Sequence, residues 1–359
     1  MAIRLLIVDD SALMRRQLGQ IFEAEGGFEM RAVRNGQEAV DENLAFQPDV
    51  ITLDINMPVM DGITALAHIM ASRPTPVVMV SSLTAKGALA TFEALTLGAV
   101  DYVAKPDGTI SLSIDKIKNE LIAKVRAAAR ARPKVKGGEK GLVERLREER
   151  AAKPERSALV HRNVASAEAE GLVLIGSSTG GPSTLEGILP KLPADFPFPI
   201  IVAQHMPGSF TGPFAHRMNS ICSLEVVEAN KPMPIVSGTI YIGKGGADMV
   251  VANRAGKLMV LPKPESPNHL WHPSVEVLGR SVLEHCEASQ VIAVMLTGMG
   301  YDGAEAFAEI KKRGGRTLAE SEDSAVVFGM PKELIDRNGA SLVLPAHKII
   351  NQLIRWARN

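Results

Sequence analysis

Short apolar runs alternate with helical-period segments along the first third of the chain. Apolar runs that end in polar residues, separated by stretches with apolar residues three and four positions apart, predict buried parallel strands covered by helices. Five such helices and five strands predict a doubly wound α/β domain over residues 1–125. The predicted strands are Ile3–Val8, Met30–Val33, Val50–Leu53, Val77–Val80 and Tyr102–Ala104.

The same alternation returns over residues 170–359 and predicts a second α/β domain with a mostly parallel sheet. Between Met249 and Val260 the pattern changes to that of a small antiparallel hairpin, with its turn at Asn253–Gly256. This half is too large and too rich in strands for a helix-turn-helix output module. The clearest strands are Leu172–Ile175, Ile200–Ala203, Ile292–Leu296 and Leu342–Leu344.

Charge is unevenly distributed along the 359 residues, although the formal net charge is zero. Residues 1–125, 126–169 and 170–359 carry net charges of −5, +6 and −1. The basic middle segment contains no Phe, Trp or Tyr, so it cannot build a core and we expect an interdomain linker. A nucleic-acid tether is the alternative, which the lack of stacking aromatics and the interspersed acids disfavour.

The sequence also predicts a compartment. Two cysteines, Cys222 and Cys286, cannot form a disulfide framework, which favours a reducing environment. No apolar run approaches the roughly 18 residues of a membrane span, and acids follow the first apolar run where a signal peptide would continue. We therefore expect a cytoplasmic protein without membrane insertion.

Polar residues follow four strands of the first domain. Asp9 and Asp10 follow the first predicted strand and Asp54 follows the third, so three carboxylates should meet at one edge of the sheet. Their mutual repulsion calls for a cation, and oxygen ligands at an open edge suit Mg²⁺. Ser81 and Lys105 follow the fourth and fifth strands and add a hydroxyl and an ammonium group. Together they predict a phosphoryl-transfer pocket with Asp54 as the acceptor.

The segments VDD, LDINMPVMDG, MVSS and GAVDYVAKP, in this order, resemble the flavodoxin-like receiver domain of two-component response regulators. The resemblance implies that Asp54 is the phosphoacceptor and that Asp9, Asp10 and Asp54 bind Mg²⁺. It further implies phosphoryl contacts from Ser81 and Lys105 and a switch aromatic at Tyr102.

In the second domain the strand Leu172–Ile175 runs into a glycine-rich turn, Gly176–Pro182. The turn lacks the Gly-Lys-Ser/Thr of a Walker loop and the GxGxxG of a dinucleotide site, so a nucleotide site is disfavoured. Its Gly-x-Ser-x-Gly spacing exposes the hydroxyl of Ser178 at the top of a sheet and predicts a nucleophile. Alternatively Ser178 is a turn serine, with Ser177 or Thr179 capping the following helix.

A base and its orienting acid follow neighbouring strands. His205 follows the strand Ile200–Ala203 and can accept the serine proton, while Asp302 follows Ile292–Leu296 and can orient the imidazole. Taken singly, His205 would be a hydrogen-bonded loop histidine and Asp302 a helix N-cap before Ala304–Lys311.

Two further groups of residues have more ordinary interpretations. His269 and His272 have metal-ligand spacing, but the sequence offers no third ligand, so a zinc site is disfavoured. Four methionines near the candidate site are expected to pack in the core: Met206, Met295, Met299 and Met330.

The segments IGSSTGGP, VAQHMPGSFT, HPSVEVL, MLTGMGYDGA and VVFGMP resemble the catalytic domain of chemotaxis protein-glutamate methylesterases, the CheB family. The resemblance implies a Ser178, His205 and Asp302 triad that needs no cofactor for ester hydrolysis. It also implies that Thr179 helps to hold His205 and that the Met299 N–H serves the oxyanion.

Substrate and partners follow from the same resemblance. It implies glutamate methyl esters, and certain glutamines, on the cytoplasmic helices of chemoreceptors as substrates, with a chemotaxis histidine kinase as phosphodonor. The near-neutral charge of the second domain and its lack of a helix-turn-helix-sized unit argue against a nucleic-acid partner. Tyr301 departs from the family, since asparagine commonly precedes the triad aspartate, and the linker is longer than in enteric members. A binding regulator without turnover and an esterase outside chemotaxis remain alternatives.

Overall fold

The computed structural model describes residues 2–82, 84–105, 110–131 and 170–358. These residues form two compact units, one on each side of residues 132–169. Most of the predicted linker therefore lies outside the described residues. The last helix of the first unit continues to Ala128, three residues into the segment predicted as linker. The domain boundaries themselves stay a prediction.

The first unit is a parallel five-stranded sheet in the order β2-β1-β3-β4-β5, which confirms the predicted doubly wound fold. Its strands are β1 Ile3–Val8, β2 Phe28–Val33, β3 Val50–Asp54, β4 Val77–Ser82 and β5 Asp101–Lys105. Its helices are α1 Ala12–Glu25, α2 Gly36–Ala45, α3 Gly62–Ser72, α4 Ala85–Leu97 and α5 Ile110–Ala128.

The register of the central strands determines where the acidic residues lie. Val8 of β1 pairs with Leu53 of β3, so Asp9 and Asp54 follow side by side at the same edge. Both strands are buried over their last residues, because helices cover both faces of a parallel sheet. The carboxylates therefore lie where buried strands meet solvent.

The second unit contains a seven-stranded sheet in the order β15-β14-β13-β6-β7-β10-β8, in which every pair is parallel. A three-stranded antiparallel sheet, β11-β12-β9, adds the predicted hairpin. The strands are β6 Leu172–Ser177, β7 Ile200–Gln204, β8 Glu225–Ala229, β9 Met233–Pro234, β10 Thr239–Gly243, β11 Asp248–Arg254, β12 Lys257–Lys263, β13 Val291–Met295, β14 Arg316–Glu320 and β15 Leu342–Leu344. The helices are α6 Gly181–Ile188, α7 Gly208–Ile221, α8 Val275–His285, α9 Ala304–Lys312, α10 Met330–Asp336 and α11 Ala346–Ala357.

Three adjacent strands at the centre of this sheet position the candidate catalytic residues. β6 lies between β7 and β13, with Ser177 paired to Gln204 and Gly176 paired to Met295. Ser178 and His205 therefore leave the sheet as immediate neighbours, while the loop after β13 passes on the other side of Ser178. The methionines expected in the core are buried at Met206, Met295 and Met330, and Met299 is half-buried.

Candidate functional site

The carboxyl edge of the first sheet carries a compact acidic cluster. Carboxylate oxygens of Asp9, Asp10 and Asp54 lie within 4.8 Å of one another. Lys105 Nζ lies 2.9 Å from Asp9 Oδ2 and 2.9 Å from Asp54 Oδ2. Since one ammonium group faces three carboxylates, the cluster keeps a formal charge of −2.

Burial and charge act in opposite directions on these groups. Burial raises the pKa of Asp54 above its ordinary value; Lys105 lowers this pKa and the nearby Asp9 raises it again, so the net shift is upward. Burial lowers the pKa of Lys105, but the Asp54 and Asp9 carboxylates outweigh burial and leave that pKa above its ordinary value. Lys105 therefore stays charged, yet it cannot neutralise both neighbours.

The other two receiver positions are buried beside this edge. The Ser81 hydroxyl at the end of β4 donates to the Gly87 carbonyl at 3.3 Å. The Tyr102 ring is buried, and Lys124 Nζ lies 5.0 Å from its centroid. Burial, with the Asp101 charge, raises the pKa of Tyr102 well above its ordinary value, so its hydroxyl stays protonated.

In the second unit a buried glutamine joins the ends of β6 and β7. Gln204 accepts a hydrogen bond from Ser177 Oγ at 2.7 Å and donates to the carbonyls of Ser178 and His205 at 3.0 Å each. The Ser178 N–H in turn donates to the Thr297 carbonyl at 3.0 Å. This network fixes the backbone on both sides of the half-buried Ser178.

His205 and Asp302 form a direct pair, with Nε2 of the imidazole 2.8 Å from Oδ2 of the carboxylate. Asp302 is 4% exposed and also accepts hydrogen bonds from Ser274 Oγ and from the N–H groups of Val275 and Glu276, at 2.7–3.1 Å. Burial acts to raise the pKa of Asp302, but His205, Val275 and Ser274 lower it by a larger amount, so the net pKa lies below its ordinary value. The carboxylate is therefore ionised and assigns the proton of the neutral imidazole to Nε2.

The remaining imidazole nitrogen is the basic one. His205 Nδ1 is buried and has no hydrogen-bond partner among the described residues, Ser178 included. The expected serine–histidine hydrogen bond is thus not formed in this structure, although the two residues follow adjacent strands. Catalytic hydrogen bonds are often long without substrate and shorten in the Michaelis complex, so the geometry leaves Nδ1 available as a base.

Comparison with known proteins agrees with this arrangement. Residues 173–353 match the CheB methylesterase family and residues 5–114 match the response regulator receiver domain. The chain belongs to the CheB methylesterase family. A protein from Rhodospirillum rubrum named protein-glutamate methylesterase/protein-glutamine glutaminase 3 is 55% identical over 98% of this chain and 96% of its own length.

Two further relatives cover the whole chain and the second unit. A Rhodopseudomonas palustris protein named protein-glutamate methylesterase/protein-glutamine glutaminase 2 is 48% identical over 99% of this chain and 98% of its own. The crystal structure of the Thermotoga maritima CheB methylesterase catalytic domain is 40% identical, covers 52% of this chain and 97% of that domain, and has a TM-score of 0.50. The chain therefore combines an N-terminal receiver domain with a C-terminal CheB catalytic domain. No helix among the described residues has the length and apolar character needed to cross a membrane.

The capping alternatives weighed from the sequence are wrong. The N-cap of α6 is Gly180, in a left-handed conformation with φ +77°, because Ser177 belongs to β6 and its hydroxyl bonds Gln204. The N-cap of α9 is Gly303, with φ +82°. Asp302 instead receives the donors at the start of α8, so it orients His205 from a position locked to a different helix.

The family resemblance assigns two further residues to the site, Thr179 and Met299. The structure does not show the expected contact of Thr179, but it places the Met299 backbone near Ser178. Thr179 Oγ1 is buried but bonds no described residue, so a hydrogen bond to His205 is not present; its carbonyl accepts from Thr297 Oγ1 at 2.9 Å. Met299 lies on the loop after β13, where a side chain added at Gly298 would place its Cβ 2.9 Å from Ser178 Cβ. Gly298 thus lets the Met299 backbone approach the serine.

Sequence analysis missed the carboxylates that hold the loops. Asp248 is buried and accepts from His272 Nδ1 at 2.9 Å, so this histidine is engaged by a carboxylate instead of forming a metal site with His269. Glu320 at the end of β14 is buried and accepts from the Thr297 N–H at 2.8 Å. The sequence carries little signal for Glu320, because β14, the strand that it ends, contains only a short apolar run.

Proposed function

We propose that this chain is a phosphorylation-regulated serine hydrolase that demethylates glutamate γ-methyl esters on chemoreceptors and deamidates certain glutamines. The observation that carries this proposal is the His205–Asp302 pair: His205 follows the strand next to that of Ser178, and its Nδ1 has no hydrogen-bond partner among the described residues. Membership of the CheB family and the names of the relatives support the substrate class. We place the reaction in the cytoplasm, where receptor helices and a histidine kinase would be partners.

The proposed reaction begins with proton transfer. His205 Nδ1 accepts the proton of Ser178 Oγ as the oxygen attacks the γ-carbonyl carbon of the methyl ester. Collapse of the tetrahedral intermediate breaks the bond to the methoxy oxygen, and the imidazolium returns its proton to give methanol. Water, deprotonated by His205, then attacks the acyl-serine; the product is a free glutamate carboxylate and regenerated Ser178. With a glutamine substrate the same steps release ammonia.

Two features of the site lower the barrier to this reaction. The ionised Asp302 stabilises the imidazolium as it forms. The Met299 N–H makes no hydrogen bond to another residue in the described ranges, which leaves it free for the oxyanion. One such donor contributes about 3 kcal/mol to transition-state stabilisation.

The receiver domain supplies control in this proposal. Asp9, Asp10 and Asp54 fit a Mg²⁺ ion, because three oxygen ligands converge and Lys105 leaves the cluster negative. Mg²⁺ would offset the negative charge that accumulates when a phosphoryl group arrives. An Asp54 carboxylate oxygen attacks the phosphorus of the kinase phosphohistidine, whose imidazole leaves. The phosphoryl group adds a charge of about −1.5 to −2 next to Lys105 and Ser81.

The nucleophile is tested by methanol release from methylated receptors. Ser178→Ala should abolish turnover, while Ser220→Ala is the matched control, because Ser220 is exposed near the end of α7 and its hydroxyl bonds only the Arg217 carbonyl among the described residues. Turnover by Ser178→Ala at the wild-type rate would refute the assignment. Release by neither variant nor wild type would favour a binding regulator without turnover.

The switch is tested by adding a small phosphodonor with Mg²⁺. Asp54→Ala should keep basal hydrolysis and lose stimulation, since the acceptor oxygen is gone while Ser178 is unchanged. Stimulation of Asp54→Ala equal to that of the wild type would show that another residue is the switch.

A further inference from the structure

The imidazole of His205 lies parallel to an indole in an offset stack. Its ring centroid is 5.6 Å from that of Trp271, and the two planes differ by 1°. Hydrogen bonds fix only one atom of the imidazole, Nε2, because Nδ1 has no partner in the part of the chain that the structure describes. The ring is also attached to Cβ at Cγ, and rotation about the Cβ–Cγ bond would swing Nδ1 out of its present plane. The indole face blocks this motion on one side.

Trp271 is itself held by its neighbours. The Tyr301 ring meets it edge to face, with centroids 5.3 Å apart and planes at 84°, a favourable aromatic geometry. Gly300 passes against the same indole, since a Cβ there would lie 2.8 Å from Trp271 Cη2 and Cζ2. Tyr301 is 55% exposed, so its ring supports the tryptophan from the solvent side.

The loop that carries Trp271, residues 264–274, is anchored at both ends by one buried carboxylate. Asp248 accepts from the Ser266 N–H at 2.7 Å and from the Ser274 N–H at 2.9 Å. It also accepts from His272 Nδ1 at 2.9 Å, directly beside the tryptophan. The indole is therefore positioned before any substrate arrives.

We propose that Trp271, supported by Tyr301, is a positioning residue that keeps the His205 imidazole in the plane in which Nε2 bonds Asp302 and Nδ1 can receive the Ser178 proton. The inference rests on the proposed serine hydrolase function and deepens it. Tyr301 stands where the family resemblance leads one to expect asparagine, which would offer the indole no aromatic edge. The aromatic support is thus a property of this chain's own residues.

The test measures how fast a fluorophosphonate labels Ser178 in the full-length chain, with phosphodonor and Mg²⁺ present in every sample. In this reaction Ser178 Oγ bonds phosphorus, fluoride leaves, and His205 takes the proton, so the rate reports the base without any receptor. Trp271→Leu keeps an apolar side chain but no ring, and we expect labelling to slow by about 10- to 100-fold. Trp271→Phe, which retains a flat ring, should keep more of the rate than Trp271→Leu.

Leu270→Ala is the matched control, because Leu270 is the neighbouring loop residue and is 75% exposed; its rate should equal that of the wild type. A second readout is hydrolysis of p-nitrophenyl acetate, in which Trp271→Leu should lower kcat and leave KM nearly unchanged. Thermal unfolding checks that each variant is folded. If Trp271→Leu does not fold, the test compares Tyr301→Leu, which removes the ring that contacts Trp271, with Tyr301→Phe, which keeps it. Slower labelling of Tyr301→Leu than of Tyr301→Phe supports the inference.

Equal labelling of wild type and folded Trp271→Leu, or of both Tyr301 variants where they decide, contradicts this inference alone. Failure to label even the wild type contradicts the serine hydrolase function and this inference with it. Normal labelling of the wild type without methanol release from receptors contradicts only the proposed substrate.

Discussion

Asp54 and Asp302 are both buried aspartates beyond the carboxyl ends of parallel strands, yet their surroundings shift their pKa values in opposite directions. Burial raises the pKa of Asp54, and its one cation, Lys105, is shared with Asp9. Burial also acts to raise the pKa of Asp302, but hydrogen bonds from His205, Val275 and Ser274 more than compensate. Burial is common to both residues, so the sign is decided by their neighbours: Asp54 has the like charge of Asp9 beside it, whereas Asp302 has His205 and additional donors.

This difference matches what each edge is proposed to do. The receiver edge keeps excess negative charge, so it gains from an arriving cation and can change when Asp54 is modified. The catalytic edge holds Asp302 charged and fixed, so His205 meets a constant partner. The charge of the receiver edge can therefore change on modification, whereas the charge of the catalytic edge stays constant.

The largest effect is expected when Asp302 is made neutral. In Asp302→Asn an amide N–H₂, which is a donor, replaces one carboxylate oxygen and faces groups that are themselves donors. His205 Nε2 then loses the acceptor that fixes its tautomer. Methanol release should fall by about 10⁴-fold. Asp54→Asn is the control, because it removes a charge of the same kind at the other edge, and its basal turnover should be unchanged. Turnover by Asp302→Asn at the wild-type rate would contradict the claim that hydrolysis needs the charge of Asp302 but not that of Asp54.

A smaller loss is expected from Gly298→Ala. The added Cβ would lie 2.4 Å from Met330 Sδ and 2.9 Å from Ser178 Cβ, so the loop that carries the Met299 N–H must move away from the serine. A displacement near 1 Å costs up to about 100-fold in rate, and kcat should fall more than KM rises. Gly187→Ala is the control, because nothing lies within 4 Å of a Cβ there. Unchanged kcat in Gly298→Ala would show that this loop does not serve the oxyanion.

The smallest effects concern stability, and their signs should be opposite. The lowered pKa of Asp302 means that its contribution to the free energy of unfolding is present above the unfolded-state pKa of about 4 and is lost as pH falls through the folded-state value. The raised pKa of Asp54 means that the folded receiver binds the proton more tightly, so Asp54 disfavours folding at neutral pH and ceases to do so as pH falls.

At pH 7, therefore, Asp302→Asn should destabilise the catalytic domain by about 1–3 kcal/mol, whereas Asp54→Asn should stabilise the receiver. Hydrogen exchange of the full-length chain separates the two, and tryptophan fluorescence reports the second unit, which contains both Trp271 and Trp356. Shifts of the same sign in both variants would contradict the comparison.

The first edge could be predicted well from sequence because its chemistry follows strand ends directly. Asp9 and Asp54 lie side by side because β1 and β3 pair in register, and a doubly wound sheet dictates that pairing. The same logic brings Ser178 and His205 to neighbouring strands, β6 and β7. Short apolar runs carry this information locally.

Contacts between loops could not be predicted in this way. That Asp302 receives donors at the start of α8, and that Trp271 stacks on His205, depends on how segments 97 and 66 positions away from the histidine pack in three dimensions. Strands β8, β10 and β14 were also missed, because their polar and apolar residues do not form runs as clear as those of the central strands. The N-caps at Gly180 and Gly303 depend on a left-handed backbone conformation. Glycine allows this conformation but does not require it, so the caps could not be predicted from the sequence.

Rapid-quench mass spectrometry of the full-length enzyme turning over a glutamate methyl ester peptide tests the central claim most directly. The account predicts a transient acyl adduct, formed as methanol is released, on the proteolytic fragment that contains Ser178 and at that residue. The adduct should be absent from Ser178→Ala and present in Ser220→Ala, whose altered residue is exposed near the end of α7. An adduct at a different residue, or methanol release by Ser178→Ala with no adduct at all, would contradict it.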